Sequence, residues 1–298
     1  MPTPLISVVM PVYNCRPFVN QAIESVLNQT LPYFEFIIVD DGSTDGTREV
    51  VEQWAARDRR IRLISRPNTG IVGALNDGLA AAGAPLIARM DGDDISLPDR
   101  FEKQVRYLND HPECVLLGTH VLLVDHDGDP IRPWGREVTH EEIDHAHLDY
   151  QWPVFHPSVM MRASAVRHVG GYRRECEWLE DLDLFLRLAE VGRLANLPER
   201  LVHYRKHPDS VCHTRQAEQR ELKERIYAET HRRRGEAYQP REPQQHDHNV
   251  LAEQKRWAWW ALGAGYVRTA RKYARSVVRQ APYDRESWRL MYCAVRGH

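Results

Sequence analysis

At 298 residues, 42% hydrophobic and 28% charged, the chain has the balance of a soluble globular protein, long enough for one large domain and a smaller appendage. Its formal net charge of −2 conceals an acidic front and a basic back, because residues 199–298 carry 21 Lys/Arg against 12 Asp/Glu. No apolar run approaches about 18 residues, which excludes a spanning helix, and five scattered cysteines (Cys15, Cys114, Cys176, Cys212, Cys293) without a C-x-x-C pair argue against a disulfide framework or a cysteine zinc site.

The first hundred residues alternate between two periods. Leu5–Val12 reads as a continuous apolar strand buried on both faces. A helical stripe follows in Phe18, Val19, Ala22, Ile23, Val26 and Leu27, and Phe34–Val39 is a second strand running into Asp40-Asp41-Gly42-Ser43-Thr44-Asp45-Gly46. A helix with Val50, Val51, Trp54 and Ala55 on one side precedes a third strand, Ile61–Ile64. A helix over Ile71–Ala82 leads to a fourth strand, Pro85–Met90, then Asp91-Gly92-Asp93-Asp94 and a helix with Phe101, Val105 and Leu108 inward. This repetition predicts an α/β fold with a parallel sheet and right-handed crossovers. Tyr13, Asp41, Asn68 and Asp91 then fall on loops at the strands' carboxyl ends, the edge where open parallel sheets bind ligands.

Beyond residue 113 the pattern loosens. Cys114–Gly118, His120–Val124 and His156–Met161 read as strands, with Asp125–Asp129 a turn. A helix over about 179–190 buries Leu182, Phe185, Leu186 and Ala189 and carries Glu180, Asp181 and Asp183 in its first turn, beside the positive end of the helix dipole. Residues 215–235 read as a charged helix and 239–249 as a polar linker. Residues 250–296 form two or three amphipathic helices rich in tryptophan and tyrosine.

Asp91, Asp93 and Asp94 repel one another at the end of a buried strand, an arrangement best tolerated around a cation. Asp41 to Glu52 nearly matches a calcium EF-hand loop, but Ser43 breaks the pattern and strand material precedes it, so a turn capping the next helix competes. Gly70 and Gly73 place small residues at a helix start, permitting close approach to a phosphate. His203 and His207 lie four apart; His145, His147, His246 and His248 read as surface residues.

Taken together, the sequence resembles the family 2 glycosyltransferases, inverting enzymes of the GT-A fold. The resemblance rests on Ser7–Asn14, Ile38–Asp45, Arg66–Gly70, Ala74–Asn76, Met90–Asp94 (the D-x-D element), His156–Ser158, Val169–Tyr172, Glu180–Asp183 and Tyr204–His207. It implies a GT-A domain over 1–212, with a Rossmann-like, mostly parallel sheet flanked by helices, a nucleotide-sugar half of about 1–110 and an acceptor half of about 111–212; a C-terminal α-helical extension occupies 213–298. It also implies that Pro11, Val12, Tyr13, Asn14, Asp41, Asn68, Gly70, Asn76, Asp91 and Gly92 hold a nucleotide-diphosphate sugar, with a UDP-sugar the first choice. Asp93 and His207 would hold a divalent cation (Mn²⁺ or Mg²⁺), and Asp181 would be the general base. The acceptor would be a saccharide or lipid-linked saccharide, not a nucleic acid. The N-terminus lacks a basic region ahead of its short apolar run, so no signal peptide is expected. A cytoplasmic enzyme follows, with peripheral contact at the inner face of a membrane open to the C-terminal helices. The competing readings are a non-catalytic nucleotide-sugar-binding scaffold and a metal-dependent phosphohydrolase.

Overall fold

The computed structural model describes residues 3–206, 216–240 and 249–297. In chain order the elements are β1 (Ile6–Val12), α1 (Arg16–Leu27), β2 (Phe34–Asp40), α2 (Thr47–Ala55), β3 (Ile61–Ser65), α3 (Ile71–Ala81), β4 (Leu86–Arg89), β5 (Ile95–Ser96) and α4 (Arg100–Asp110). They continue with β6 (Cys114–Val124), β7 (Pro130–Trp134), α5 (His140–Leu148), β8 (Met160–Arg162), α6 (Ala163–His168), α7 (Glu180–Ala189) and β9 (Arg193–Arg205). Four helices follow: α8 (Gln216–Arg234), α9 (Val250–Gly263), α10 (Val267–Gln280) and α11 (Arg285–Arg296).

The strands form one sheet in the order β3-β2-β1-β4-β8-β6-β9-β5, with β7 paired to β6. The first four run parallel, and β8 then joins β4 antiparallel, so the expected parallel sheet becomes a mixed one in its second half. Every residue of β1 is buried, as a central parallel strand covered on both faces requires. On one face lie α1 and α4, whose Val19, Ile23, Val26, Phe101 and Leu108 share a core with Val8, Met10, Phe36 and Ile38. On the other face, Val72 and Leu75 of α3 pack with Val9 and Ile87, and Phe185 and Leu188 of α7 join the same cluster. Gly78 lets α3 lie close against β1, since a Cβ there would run into the Val9 side chain.

Three features differ from the sequence expectation. Residues 114–124 form one unbroken strand, since Gly118 and Thr119 stay buried within it instead of turning. His156–Ser158 is a 3-10 turn before a three-residue β8, a geometry that Pro157 accommodates at the start of the turn. The long β9 was not anticipated, because its exposed centre, Pro198-Glu199-Arg200, breaks the alternation that announces a strand. His147 is also a correction. Burial, not surface exposure, surrounds its ring and pushes its pKa down to about 4.

The chain divides into two compact units. The first holds Met1–Val121, Gly135–His203 and Ala217–Gln239; the second contains Leu122–Trp134 and α9 to α11. The compact units therefore group the β6–β7 hairpin with the C-terminal helices, and α8 with the larger body. Within the second unit, Trp134 meets Trp260 edge-on at 5.4 Å, and Arg132 lies over both rings. No helix among the described residues is long and apolar enough to cross a membrane.

Candidate active site

Parallel register brings the loops of the first unit to one edge. Val12 sits opposite Asp40, Asp40 opposite Ser65, and Val9 opposite Arg89, so the chain leaves β1, β2, β3 and β4 on the same side. Pro11 and Val12 are buried in β1, while Tyr13 emerges 52% exposed. Asn14, in the left-handed region at φ 47°, binds the neighbouring loop: its Oδ1 accepts from the Thr44 amide at 2.8 Å, and its own amide donates to Ser43 Oγ at 3.1 Å. The doubled Asp40-Asp41 now has a division of labour. Asp40 accepts from the Ser43 amide at 3.2 Å, closing the turn. Asp41 reaches across to the next loop, where it accepts from the amides of Thr69 at 3.2 Å and Gly70 at 3.0 Å and pairs with Arg66 at 3.2 Å. A strand precedes this loop and Asp45 accepts from Thr47 and Arg16, so the region is a side-chain-braced turn and not an EF-hand; Gly46 is the N-cap of α2 without a side-chain cap, so neither Ser43 nor Thr44 caps that helix.

Asn68 is exposed, and its backbone packs so closely on Gly42 that a Cβ there would lie 2.8 Å from the Asn68 nitrogen. Gly70, at φ 93°, takes a backbone conformation that side-chain-bearing residues rarely adopt, and the Glu177 carboxylate lies directly against it. Asn76 spends its amide on Tyr172, donating to its carbonyl at 2.8 Å and accepting from its N–H at 3.1 Å. This fixes α3 to the Gly170-Gly171-Tyr172 loop.

Asp91, Asp93 and Asp94 present carboxylate oxygens within 4.8 Å of one another, the first two half-buried and the third buried. Gly92 between them is a packing necessity: a Cβ would come within 2.8 Å of Cys15 Sγ and 2.9 Å of Val12 Cγ1. Burial, reinforced by Asp93, pushes the Cys15 thiol up to about 12, so it stays protonated and inert. A set of oxygen-only donors without cysteine or histidine suits a hard divalent cation such as Mg²⁺ or Mn²⁺. His207, the other residue expected at the metal, lies outside the described residues, as do His246, His248 and Cys212.

The residue that organises this cluster is Arg89, the last of β4, only 2% exposed. Burial opposes its charge, but Asp91, with which it forms an ion pair, together with Tyr172 and Asp94, more than offsets that and holds the guanidinium charged. Arg89 also acts on Glu180 and Asp181 at the start of α7. Burial raises the Asp181 pKa and Asp91 adds to the rise, against the pull of the Leu182 amide at 2.7 Å and of Arg89. Glu180, 6% exposed, is pushed up to about 8 by burial and then by the Asp181 charge. Asp183 is held down instead: burial is outweighed by the guanidinium groups of Arg173 and of Arg187, the latter one helical turn away at i,i+4. Behind them His156 Nε2 and the Tyr172 hydroxyl are 2.7 Å apart, both buried. The structure thus gathers residues 89–94, 172 and 180–181 into one electrostatic neighbourhood. The sequence did carry a signal for Arg89, a single cation inside an apolar strand directly ahead of three carboxylates.

A second carboxylate triad, Asp125, Asp127 and Asp129, lies in the other unit. There Lys272 Nζ donates to all three, at 2.5, 2.6 and 3.0 Å, and the Tyr273 hydroxyl donates to Asp125 at 2.8 Å.

Comparison with known proteins identifies the family and the fold. The sequence model described as Glycosyl transferase family 2 matches residues 7–170. EpsE of Bacillus subtilis (strain 168), a glycosyltransferase by name, is 40% identical over 212 residues, covering 70% of this chain and 75% of that protein. The amylovoran biosynthesis glycosyltransferase AmsE of Erwinia amylovora is 35% identical over 211 residues, 70% of this chain and 78% of its own. Among solved structures, S. aureus TarS 1-349 in complex with UDP-GlcNAc aligns with TM-score 0.62 at 17% identity, over 97% of this chain and 79% of that one. The mannosyltransferase PcManGT from Pyrobaculum calidifontis, in complex with GDP-Man and Mn²⁺, aligns with TM-score 0.59 at 19% identity, over 99% and 86%. The fold is GT-A, and the chain is a glycosyltransferase that belongs to glycosyl transferase family 2.

Proposed function

We propose that this glycosyltransferase inverts: an acceptor hydroxyl displaces a nucleoside diphosphate directly from the anomeric carbon of the donor sugar, with Asp181 as general base. The observation that carries this reading is the convergence of Asp181 with the Asp91–Asp94 run around Arg89, across about ninety residues of sequence. A carboxylate with a raised proton affinity, half-exposed at the start of a helix, suits removal of a hydroxyl proton as the new bond forms.

Tyr13 would stack on the nucleotide base and Asp41 would face its polar edge. Asn14, Asn68, Gly70 and Asn76 would shape the loops around the diphosphate and sugar, with Asp91 and Gly92 at the ribose side. Asp93, with His207, would hold Mn²⁺ or Mg²⁺; bound there, the cation would neutralise the charge that develops on the departing diphosphate. A uridine donor is favoured, since two of the similar structures carry UDP or UDP-GlcNAc, although another carries GDP-Man. The acceptor is a saccharide or lipid-linked saccharide, and the enzyme works at the cytoplasmic side.

A thermal-shift panel of UDP, GDP, dTDP and CDP with Mn²⁺ ranks the donor base. A ligand at about 100 times its dissociation constant adds roughly 2.7 kcal/mol, so the correct nucleotide should raise the melting temperature clearly above the others. Equal response to all four would remove the uridine preference, and response to none would remove the nucleotide assignment.

A further inference from the structure

Helix α11 carries an exposed apolar face that its own packing leaves outside. Its inner side, Ser287, Leu290 and Ala294, is buried. On the outer side Trp288, Tyr292 and Val295 are 54%, 55% and 60% exposed, at i, i+4 and i+7, so they lie in one row. Tyr283, just ahead of the helix, is 98% exposed. Arginines border the row: Arg285, Arg289 and Arg296 are exposed on α11, and Arg296 stacks on Tyr292 at 4.6 Å. Arg268, Arg271, Arg275 and Arg279 form a second basic row on α10, spaced by three or four residues. Arg271 donates to the carbonyls of Ala294 and Val295 at 2.9 and 2.8 Å, so that row runs beside the end of α11. From residue 249 to 298 the chain has 10 Lys/Arg against 3 Asp/Glu.

We infer that α11 is an interfacial helix that docks on an anionic lipid surface. Tryptophan and tyrosine favour the headgroup region, where an apolar ring and a polar tip are both accommodated, and flanking arginines meet lipid phosphates. The charge complementarity decides against a second copy of the chain: pairing two such faces would set arginine against arginine. The apolar row is short, so attachment is reversible and depends on both parts of the face.

The test is co-sedimentation of the full chain with phosphatidylcholine vesicles, with and without phosphatidylglycerol, at low and high salt. Binding should require phosphatidylglycerol and weaken with salt. The variant W288S/Y292S/V295S should bind at least tenfold less with its melting temperature kept, since the replaced residues are exposed. R285E/R289E should lose about fivefold or more per arginine. Equal sedimentation by wild type and the triple variant overturns the proposal. So does a wild-type dimer in light scattering that becomes a monomer in the triple variant without any vesicle binding.

Discussion

Asp125, Asp127 and Asp129 close around the ammonium of Lys272, whereas in the triad of Asp91, Asp93 and Asp94 the first and last share Arg89 with two further carboxylates on α7. Both triads bring carboxylate oxygens within 4.8 Å, so neither spacing nor residue type separates them. The cation that each one meets does. In the turn, three carboxylates meet a lysine seated among them, with a tyrosine hydroxyl completing Asp125. At the sheet edge, Asp91 pairs with Arg89, whose guanidinium also acts on Asp94 and, across at α7, on Glu180 and Asp181. One cluster is closed by an ammonium at its centre, while the other shares a guanidinium at its edge with the start of a second element.

The contrast can be broken in four ways. Asp181→Asn should lower sugar transfer by about 10²–10⁴-fold while keeping the melting shift with UDP and Mn²⁺, and product analysis beside thermal shift would separate the two. Normal turnover would remove Asp181 from the base role. Lys272→Met should cost about 3 kcal/mol, since it strands carboxylates around the buried Asp125. Denaturant melts should show that loss partly restored by Ca²⁺, which the wild type would not display, with the response to UDP and Mn²⁺ unchanged. Asp93→Ala should instead act on ligand binding, abolishing the roughly 2.7 kcal/mol that nucleotide with Mn²⁺ adds at about 100 times its dissociation constant; an unchanged shift would contradict the metal assignment. The smallest effect is expected from Glu180→Gln. The folded protein binds the Glu180 proton more tightly than the unfolded chain does, so this group's stabilisation is present below the usual glutamate range and is lost as pH rises through about 8. The variant should therefore gain melting temperature relative to wild type at pH 8.5 but not at pH 4, and a pH-independent difference would count against the buried acid.

Much of the first half was open to sequence reading. Strands such as Ile6–Val12 and Phe34–Asp40 are buried on both faces, so their residues are nearly all apolar and the pattern is unbroken. Asp183 and Arg187 were also predictable, because helix geometry alone puts residues four apart in contact. Arg89 was harder. Its importance depends on carboxylates from α7 that only the mixed second half of the sheet brings near, and no local period encodes that meeting. The use of Asn76 as a tie to Tyr172 spans 96 residues and was equally hidden. The Asp125 turn was recognised as a turn, but the lysine that fills it comes 147 residues later.

The grouping of the β6–β7 hairpin with α9 to α11 bears on how the protein should be cut. Deleting everything after about residue 240 looks like removal of an appendage, yet it would keep the hairpin and strip its cover. Trp134 would lose the edge of Trp260, Arg132 one of the rings beneath it, and Asp125 both its ammonium and its phenol. A shortened chain that aggregates or fails to bind a nucleotide would report on that exposed hairpin before it reported on any contribution of the helices to catalysis. Point changes on the outer face of α11 are the cleaner instrument.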